Sequence, residues 1–138
     1  MKKPNGLTSI KLNKTRPNAK QEDKTVENKI MKNIDLASPL ALPALVTYQT
    51  GQIVSRTLVQ NRAVSLTLFA FDTNEEISSH ESKGDAMVQI LDGKAKITIG
   101  DGVHVLSAGE TVVMPAGVPH ALEAVEPFKM LLTVIFPN

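Results

Sequence analysis

The segment of residues 109–120, GETVVMPAGVPH, constrains the fold more than any other stretch of the chain. Residues 111–114 have the apolar, β-branched character of a short buried strand. Pro115 fixes its φ at about −65° and Gly117 permits a positive φ, so together they force a turn directly after that strand. The segment therefore predicts a strand, a rigid turn and a second strand that begins with His120.

Most of the chain after Pro43 consists of short alternating or β-branched runs separated by turn residues. Runs of this kind predict β-strands, and strands at such regular spacing favour a sandwich or a closed barrel. Between two of the runs, Asp92 and Gly93 predict a two-residue hairpin. The predicted strands are residues 44–49, 52–60, 63–71, 86–91, 94–99, 103–107, 112–114, 120–125 and 128–136.

One predicted strand, residues 63–71, carries apolar side chains on both of its faces. Alternation places Leu68 on one face and Phe69 and Phe71 on the other. Such a strand is covered on both sides, either inside a sandwich or at a dimer contact. Together with the apolar run at residues 130–136, it predicts a homodimer.

Charge divides the chain near residue 33. Residues 1–33 hold nine Lys or Arg and three Asp or Glu, a net charge of +6, whereas residues 34–138 hold six and eleven, a net charge of −5. The acidic part offers no basic face for nucleic acid. The basic part has no apolar period and is predicted to be a disordered extension. It is either a plain solvated tail or a segment that contacts phosphate or anionic lipid.

Composition excludes several further classes. The chain has no cysteine, so it has no disulfide framework, cysteine zinc site or cysteine nucleophile. The apolar run at residues 36–46 contains Pro39 and Pro43, lies too far from the N-terminus to be a secretory signal and is too short to span a membrane. We therefore predict a cytoplasmic protein without a membrane or nucleic-acid partner.

Two spaced sets of residues stand out in the second half of the chain. The later set is Gly109, Pro115, Gly117, His120 and Ala124. The earlier set is His80, Ser82, Ala86 and Gly93. They resemble the second cupin motif, G(x)5PxG(x)2H(x)3N, and a degenerate form of the first, G(x)5HxH(x)3,4E(x)6G. From about residue 48 to residue 136, the chain thus resembles a single-domain cupin of the type-2, RmlC-like kind.

The resemblance implies an all-β fold, the double-stranded β-helix or jelly-roll barrel. It assigns residues 34–138 to the cupin domain and residues 1–33 to an N-terminal extension. The segment from Met31 is similar to the usual beginning of a small cupin, so residues 1–30 are either an added extension or the product of a start placed too far upstream. Small cupins commonly pair, which agrees with the predicted homodimer.

The resemblance also implies a metal site. A complete cupin site holds Mn, Fe, Ni or Zn with three imidazoles and a carboxylate. His80 and His120 match two of these positions, but Ser82 replaces the second histidine and Ala86 replaces the carboxylate. Two histidines generally hold a divalent metal loosely. In the alternative interpretation, both are pocket histidines hydrogen-bonded to water or backbone.

Other polar residues near these positions are weaker candidates. Glu81 and Asp85 have the opposite parity to His80 unless the loop between them breaks the alternation, which Gly84 permits. His104 lies in a separate strand and is predicted to be an ordinary strand or surface histidine.

Two classes of function remain open. In the first, the barrel binds a small organic ligand, such as an acid or a sugar, with His80 and His120 as polar anchors. In the second, the protein is a metal-dependent enzyme, a dioxygenase or an isomerase, in which the metal is a Lewis acid and an imidazole transfers protons. The sequence does not decide whether the protein is an enzyme. The residues predicted to line the ligand site are Ser82, Val88, Met114 and Leu122.

Overall fold

The computed structural model describes residues 30–138. The chain divides into two units, Met1–Leu40 and Ala41–Asn138. Within residues 30–40 of the first unit there are turns and bends, with a positive φ at Asn33 and Ala37. The disorder predicted for the N-terminal extension falls mainly on residues outside the described part. The boundary between residues 33 and 34 stays a prediction.

The second unit is built from β-strands in two sheets. A five-stranded sheet has the order β1-β2-β9-β4-β7, and a four-stranded sheet has the order β3-β8-β5-β6; every strand pair in both sheets is antiparallel. The strands of the described residues are β1 Ile53–Gln60, β2 Val64–Phe71, β3 Glu76–His80, β4 Asp85–Asp92, β5 Lys94–Ile99, β6 Gly102–Ser107, β7 Thr111–Met114, β8 His120–Ala124 and β9 Phe128–Ile135. Eight of the nine predicted strands are present with each end within one residue of the prediction.

The main core lies between the inward faces of the two sheets. Strand alternation sends every second side chain into this space. Phe71 and Phe128 lie on paired strands, and their rings stack with centroids 4.4 Å apart. Burying one large apolar side chain of this kind contributes about 1.5–3 kcal/mol. The core residues are Phe71, Ala86, Val88, Ile90, Ala95, Ile97, Leu106, Met114, Leu122, Ala124, Phe128, Met130 and Val134.

The hairpin predicted at Asp92 and Gly93 is wrong. The strands on either side of it, β4 and β5, belong to different sheets and do not pair. Gly93 has a φ of 76°, and a Cβ at this position would lie 1.8 Å from the carbonyl oxygen of Pro127. The turn residues that favour a hairpin also allow a sharp corner, and here the chain crosses from one sheet to the other.

The strand predicted at residues 44–49 is also wrong. The chain forms a short 3₁₀ helix, Leu42–Leu45, whose second residue is Pro43, and this segment belongs to neither sheet. Arg56 donates a hydrogen bond to the carbonyl of Leu45, and Lys129 donates one to the carbonyl of Pro43. Both cations lie on the outer face of the five-stranded sheet, so the segment is held against that face by its carbonyls rather than by a strand ladder.

A second apolar cluster lies on this outer face. Leu68 and Ala70 point away from the main core, yet both are fully buried, and Val46 and Leu58 are nearly so. The two-faced pattern of β2 is therefore explained by coverage within one chain.

Strand β3 was not predicted. Its sequence, EISSH, offers one apolar side chain, so alternation gives no clear pattern. It forms because β8 supplies a partner, with Ile77 opposite Leu122 and His80 opposite His120. Pairing with a neighbouring strand thus outweighs the weak local preference of this segment.

Candidate functional site

The pairing of β3 with β8 brings the two candidate histidines together. His80 ends β3 and lies opposite His120, which begins β8. Their ring centroids are 4.4 Å apart, and the rings meet at 66°, an edge-to-face arrangement. Forty residues separate the two in sequence, so this proximity is a product of the sheet.

The turn before His120 is fixed to the loop before β4. Gly117, with a φ of 76°, donates its backbone N–H to the carbonyl of Ser82 at 2.9 Å. The neighbouring Ala116 N–H donates to the Asp85 carboxylate at 2.8 Å. These two bonds join the segment that follows His80 to the turn that precedes His120. They therefore help to fix the positions of the two imidazoles relative to each other.

A cavity of about 220 Å³ opens beside the histidines, between the inward faces of the two sheets. Seven of its lining side chains are apolar and four are polar. The apolar members are Ile77, Ala86, Met114, Leu122, Met130, Leu132 and Val134. The polar members are His80, Glu81, Ser82 and His120.

Both imidazoles are oriented by backbone carbonyls. His80 Nδ1–H donates to the carbonyl of Ser78 at 2.9 Å, and His120 Nδ1–H donates to that of Val118 at 3.1 Å. A carbonyl oxygen only accepts, so the proton of each neutral ring resides on Nδ1. The Nε2 atom of each ring then carries a lone pair that is free for a ligand.

His120 is buried and His80 is exposed. Only 2% of the His120 surface is accessible. Burial lowers the pKa of His120 below its usual range, and the neighbouring His80 lowers it further, while the hydrogen bond to Val118 opposes the shift. His120 is therefore a neutral imidazole at neutral pH, and its Nε2 accepts rather than donates.

The structure brings most of the predicted site residues to one cavity. Ser82, Met114 and Leu122 all line it together with the two histidines. Val88 does not: it is fully buried in the main core and lies outside the lining of the cavity. It is the next inward-facing position after Ala86 along β4.

Glu81 lines the cavity although strict alternation directs it away. Strand β3 ends at His80, and the chain then bends toward β4, so the parity of a continuous strand does not apply. Gly84 allows this close passage, since a Cβ there would lie 2.3 Å from the carbonyl oxygen of Ile135. In the sequence, Gly84 is the residue that permits this break in the alternation. His104 is exposed and does not line the cavity.

The donor set fits a metal ion only in part. His80 and His120 offer two imidazole nitrogens, whereas Ser82 offers a neutral hydroxyl and Ala86 offers nothing. Within residues 30–138, no three His, Cys, Asp or Glu side chains are grouped so that they could hold a metal ion. The residues therefore supply two of the four ligands of a complete cupin metal site.

The fold and the site together define a double-sheet β-barrel with an apolar cavity and a polar end. A family model described as a cupin domain matches residues 67–136. The chain belongs to the cupin family. Within residues 30–138 no helix is long and apolar enough to cross a membrane.

Solved structures resemble the chain closely. A conserved protein of unknown function from Streptococcus pyogenes is 47% identical with a TM-score of 0.78, and the match covers 80% of this chain and 96% of that one. A cupin superfamily protein from Desulfitobacterium hafniense is 33% identical with a TM-score of 0.75, covering 78% and 98%. A cupin 2 conserved barrel domain protein from Leptotrichia buccalis is 38% identical with a TM-score of 0.66, covering 67% of this chain and 45% of that one. The comparison with curated proteins found no match.

Proposed function

We propose that this cupin binds a small organic molecule in its barrel cavity, with His80 and His120 as the polar anchors. The observation that carries the proposal is the pair of imidazoles, 4.4 Å apart, at the polar end of an otherwise apolar cavity. Ligand sites are typically apolar clefts with a few placed polar groups. The volume of about 220 Å³ is below the roughly 300–1,000 Å³ of sites for drug-sized ligands, so the molecule is small.

The state of His120 supports a binding role. A buried polar group costs free energy unless it is hydrogen-bonded. In the His120 ring, Nδ1 is hydrogen-bonded to the carbonyl of Val118. Its Nε2 has no hydrogen-bond partner among the described residues and is left for water or ligand. A ligand atom that donates to it would satisfy a group that the fold leaves open.

A second candidate function is that of a metal-dependent enzyme, a dioxygenase or isomerase that uses the same histidines. The observation that favours it is that both Nε2 atoms carry lone pairs, as a metal ligand must. Mn, Fe, Ni or Zn would supply Lewis acidity there, and His80 and His120 would hold the ion. Ser82 and Ala86 remove two of the four expected donors, so ligand binding is the function we rank first.

Methyl NMR of methionine tests the binding proposal, because Met114 and Met130 line the cavity while Met87 points to the opposite face of β4. The protein is labelled at the methionine methyl groups and screened against fragments smaller than drug-sized ligands. We expect binders to shift the Met114 and Met130 signals and leave Met87 unchanged. A library that shifts neither cavity methyl would overturn the proposal.

Matched variants separate anchoring from general loss of structure. His80→Ala and His120→Ala are each expected to weaken binding by about fivefold or more, since each leaves a buried donor of the ligand unpaired at a cost of about 1–3 kcal/mol. His104→Ala, which removes an exposed histidine outside the cavity, is expected to leave binding unchanged. Equal effects of all three variants would argue against anchoring.

Metal content tests the second candidate. Protein purified without a histidine tag is analysed for elements, and a stoichiometric redox metal would support the enzyme. The double change Ser82→His and Ala86→Glu restores the two missing inward donors, so it is expected to tighten binding of added Mn or Zn. Unchanged metal affinity in that variant would show that these positions do not form a metal site.

A further inference from the structure

The polar end of the cavity accepts hydrogen bonds and scarcely donates them. In their neutral forms, the rings of His80 and His120 each present an Nε2 lone pair, because each Nδ1–H is used by a backbone carbonyl. The carboxylate of Glu81 only accepts. Ser82 Oγ accepts a hydrogen bond from the Gly84 N–H at 3.2 Å, and its own hydrogen is the one side-chain donor among the described lining residues that is not already used by a backbone carbonyl.

The cavity also has no fixed positive charge. Among the described residues that line it there is no Lys or Arg, and the one charged side chain, Glu81, is negative. A bound carboxylate would face two lone pairs and an anion, and it would give up part of its hydration without gaining a cation as a partner. Burying a charge without a partner is unfavourable.

We propose that the ligand of this cavity is a molecule with a hydrogen-bond-donating head, an alcohol or an amine, on a mainly hydrocarbon body. The inference rests on the proposed binding function and names its ligand class. The head donates to the Nε2 atoms of His80 and His120. An ammonium head also pairs with Glu81 at the same end of the cavity.

The walls define the rest of the molecule. Seven aliphatic or thioether side chains surround the space beyond the histidines, and none of the described lining residues is aromatic. A sugar carries hydroxyls around its whole ring, and those that face such walls would be left unpaired, which is unfavourable. The cavity therefore selects against sugars as well as against carboxylic acids.

Three six-carbon compounds test the head group directly: hexan-1-ol, hexylamine and hexanoic acid. They share one hydrocarbon body, so differences in affinity report the head. Titrations at about pH 8 follow the methyl signals of Met114 and Met130 with and without EDTA. We expect the alcohol and the amine to bind at least tenfold more tightly than the acid in both conditions.

A charge variant distinguishes the two donor heads. Glu81→Gln removes the carboxylate from the cavity, so it is expected to reduce any preference for the amine over the alcohol. Glu126→Gln removes an exposed carboxylate outside the cavity and serves as the matched control, with no change expected.

The outcomes separate this inference from the proposed function. If hexanoic acid binds as tightly as the alcohol and the amine, or more tightly, the head-group inference is overturned while the binding function stands. The inference also fails if none of the three shifts Met114 and Met130 although other fragments do. If no fragment of any class shifts these signals, the proposed function itself fails.

Discussion

His120 combines burial, a contact with the other histidine and a fixed hydrogen bond. Its ring is almost fully buried, it contacts a second imidazole, and one of its nitrogens is fixed by the carbonyl of Val118. A protonated ring would place a charge in an apolar wall beside another titratable ring. The protein therefore favours the neutral form of this histidine, and its stability should depend on pH.

Lowering the pH should destabilise the fold through His120. The folded state holds its pKa below that of the unfolded chain, at about 6.5, so the unfolded chain binds the proton more readily. The free energy of unfolding should fall as pH drops below about 6.5, and this loss should level off below the folded pKa. Urea unfolding followed by far-UV circular dichroism between about pH 8 and pH 5 measures it.

Two variants assign that pH dependence. His120→Asn removes the titrating group and should flatten the curve relative to the unmodified protein, whereas His104→Asn, at an exposed position, should not. Because carboxylates add their own slope at low pH, the informative quantity is the difference between the two variants. Identical curves would show that His120 is not the group responsible.

At the scale of the elements, the corner at Gly93 decides how the two sheets connect. The residue has a positive φ, and the carbonyl of Pro127, just before β9, occupies the space where a side chain would begin. The corner carries the chain from β4 in one sheet to β5 in the other. The earlier of the two motif sets thus ends at a position where only glycine fits.

Gly93→Ala should destabilise the protein far more than Gly109→Ala. Both positions have a positive φ, but nothing lies within 4 Å of a Cβ at Gly109. The control should lose about 1–2 kcal/mol from left-handed strain alone. Gly93→Ala adds a backbone clash and should lose about 2–5 kcal/mol. Equal losses in urea unfolding would contradict the close approach to Pro127.

At the scale of the whole molecule, the predicted homodimer needs a surface that one chain leaves open. The outer face of β2 is no longer such a surface at Leu68 and Ala70, because both are buried within the chain. Further along the same sheet, Val113 and Ile135 remain about half exposed on the outward side, next to Met87. A dimer contact on the five-stranded sheet would cover these residues.

Sedimentation velocity at micromolar concentration tests the dimer. We expect a species of twice the chain mass, and we expect Ile135→Lys to shift it toward monomer, because a cyclic contact places each change twice in one interface. The control is Val103→Lys, at an exposed position on β6 in the other sheet, and no shift is expected. A monomer at all concentrations would rule out the prediction.

Deleting residues 1–30 tests the proposed domain boundary. Their composition gives little apolar surface to bury, so the melting temperature should change by only a few degrees. Circular dichroism of the two proteins at equal concentration measures the difference. Failure of the shortened chain to fold would place the boundary elsewhere.

Local pattern was sufficient for most of the strands and for the two histidines. Strand alternation and the Pro and Gly of the turn before His120 act over a few residues, so they can be read directly from the chain. The spacing of the two motif sets placed His80 and His120 at one end of a barrel, and the rings do lie 4.4 Å apart there. The family followed from the same spacing.

Pairing between distant strands decided the rest. Asp92 and Gly93 suit a hairpin or a corner equally, and only the burial of two sheets against each other selects the corner. The polar strand β3 forms because β8 lies beside it as a pairing partner. Because β3 ends at His80, Glu81 does not follow the alternation of the strand, and its side chain lines the cavity. Val88 points inward like Ala86, but it is buried in the packed core and does not line the cavity. No local pattern in the sequence encodes that depth. Local chemistry thus specified the segments, while the non-local burial of one sheet on the other specified which side chains meet.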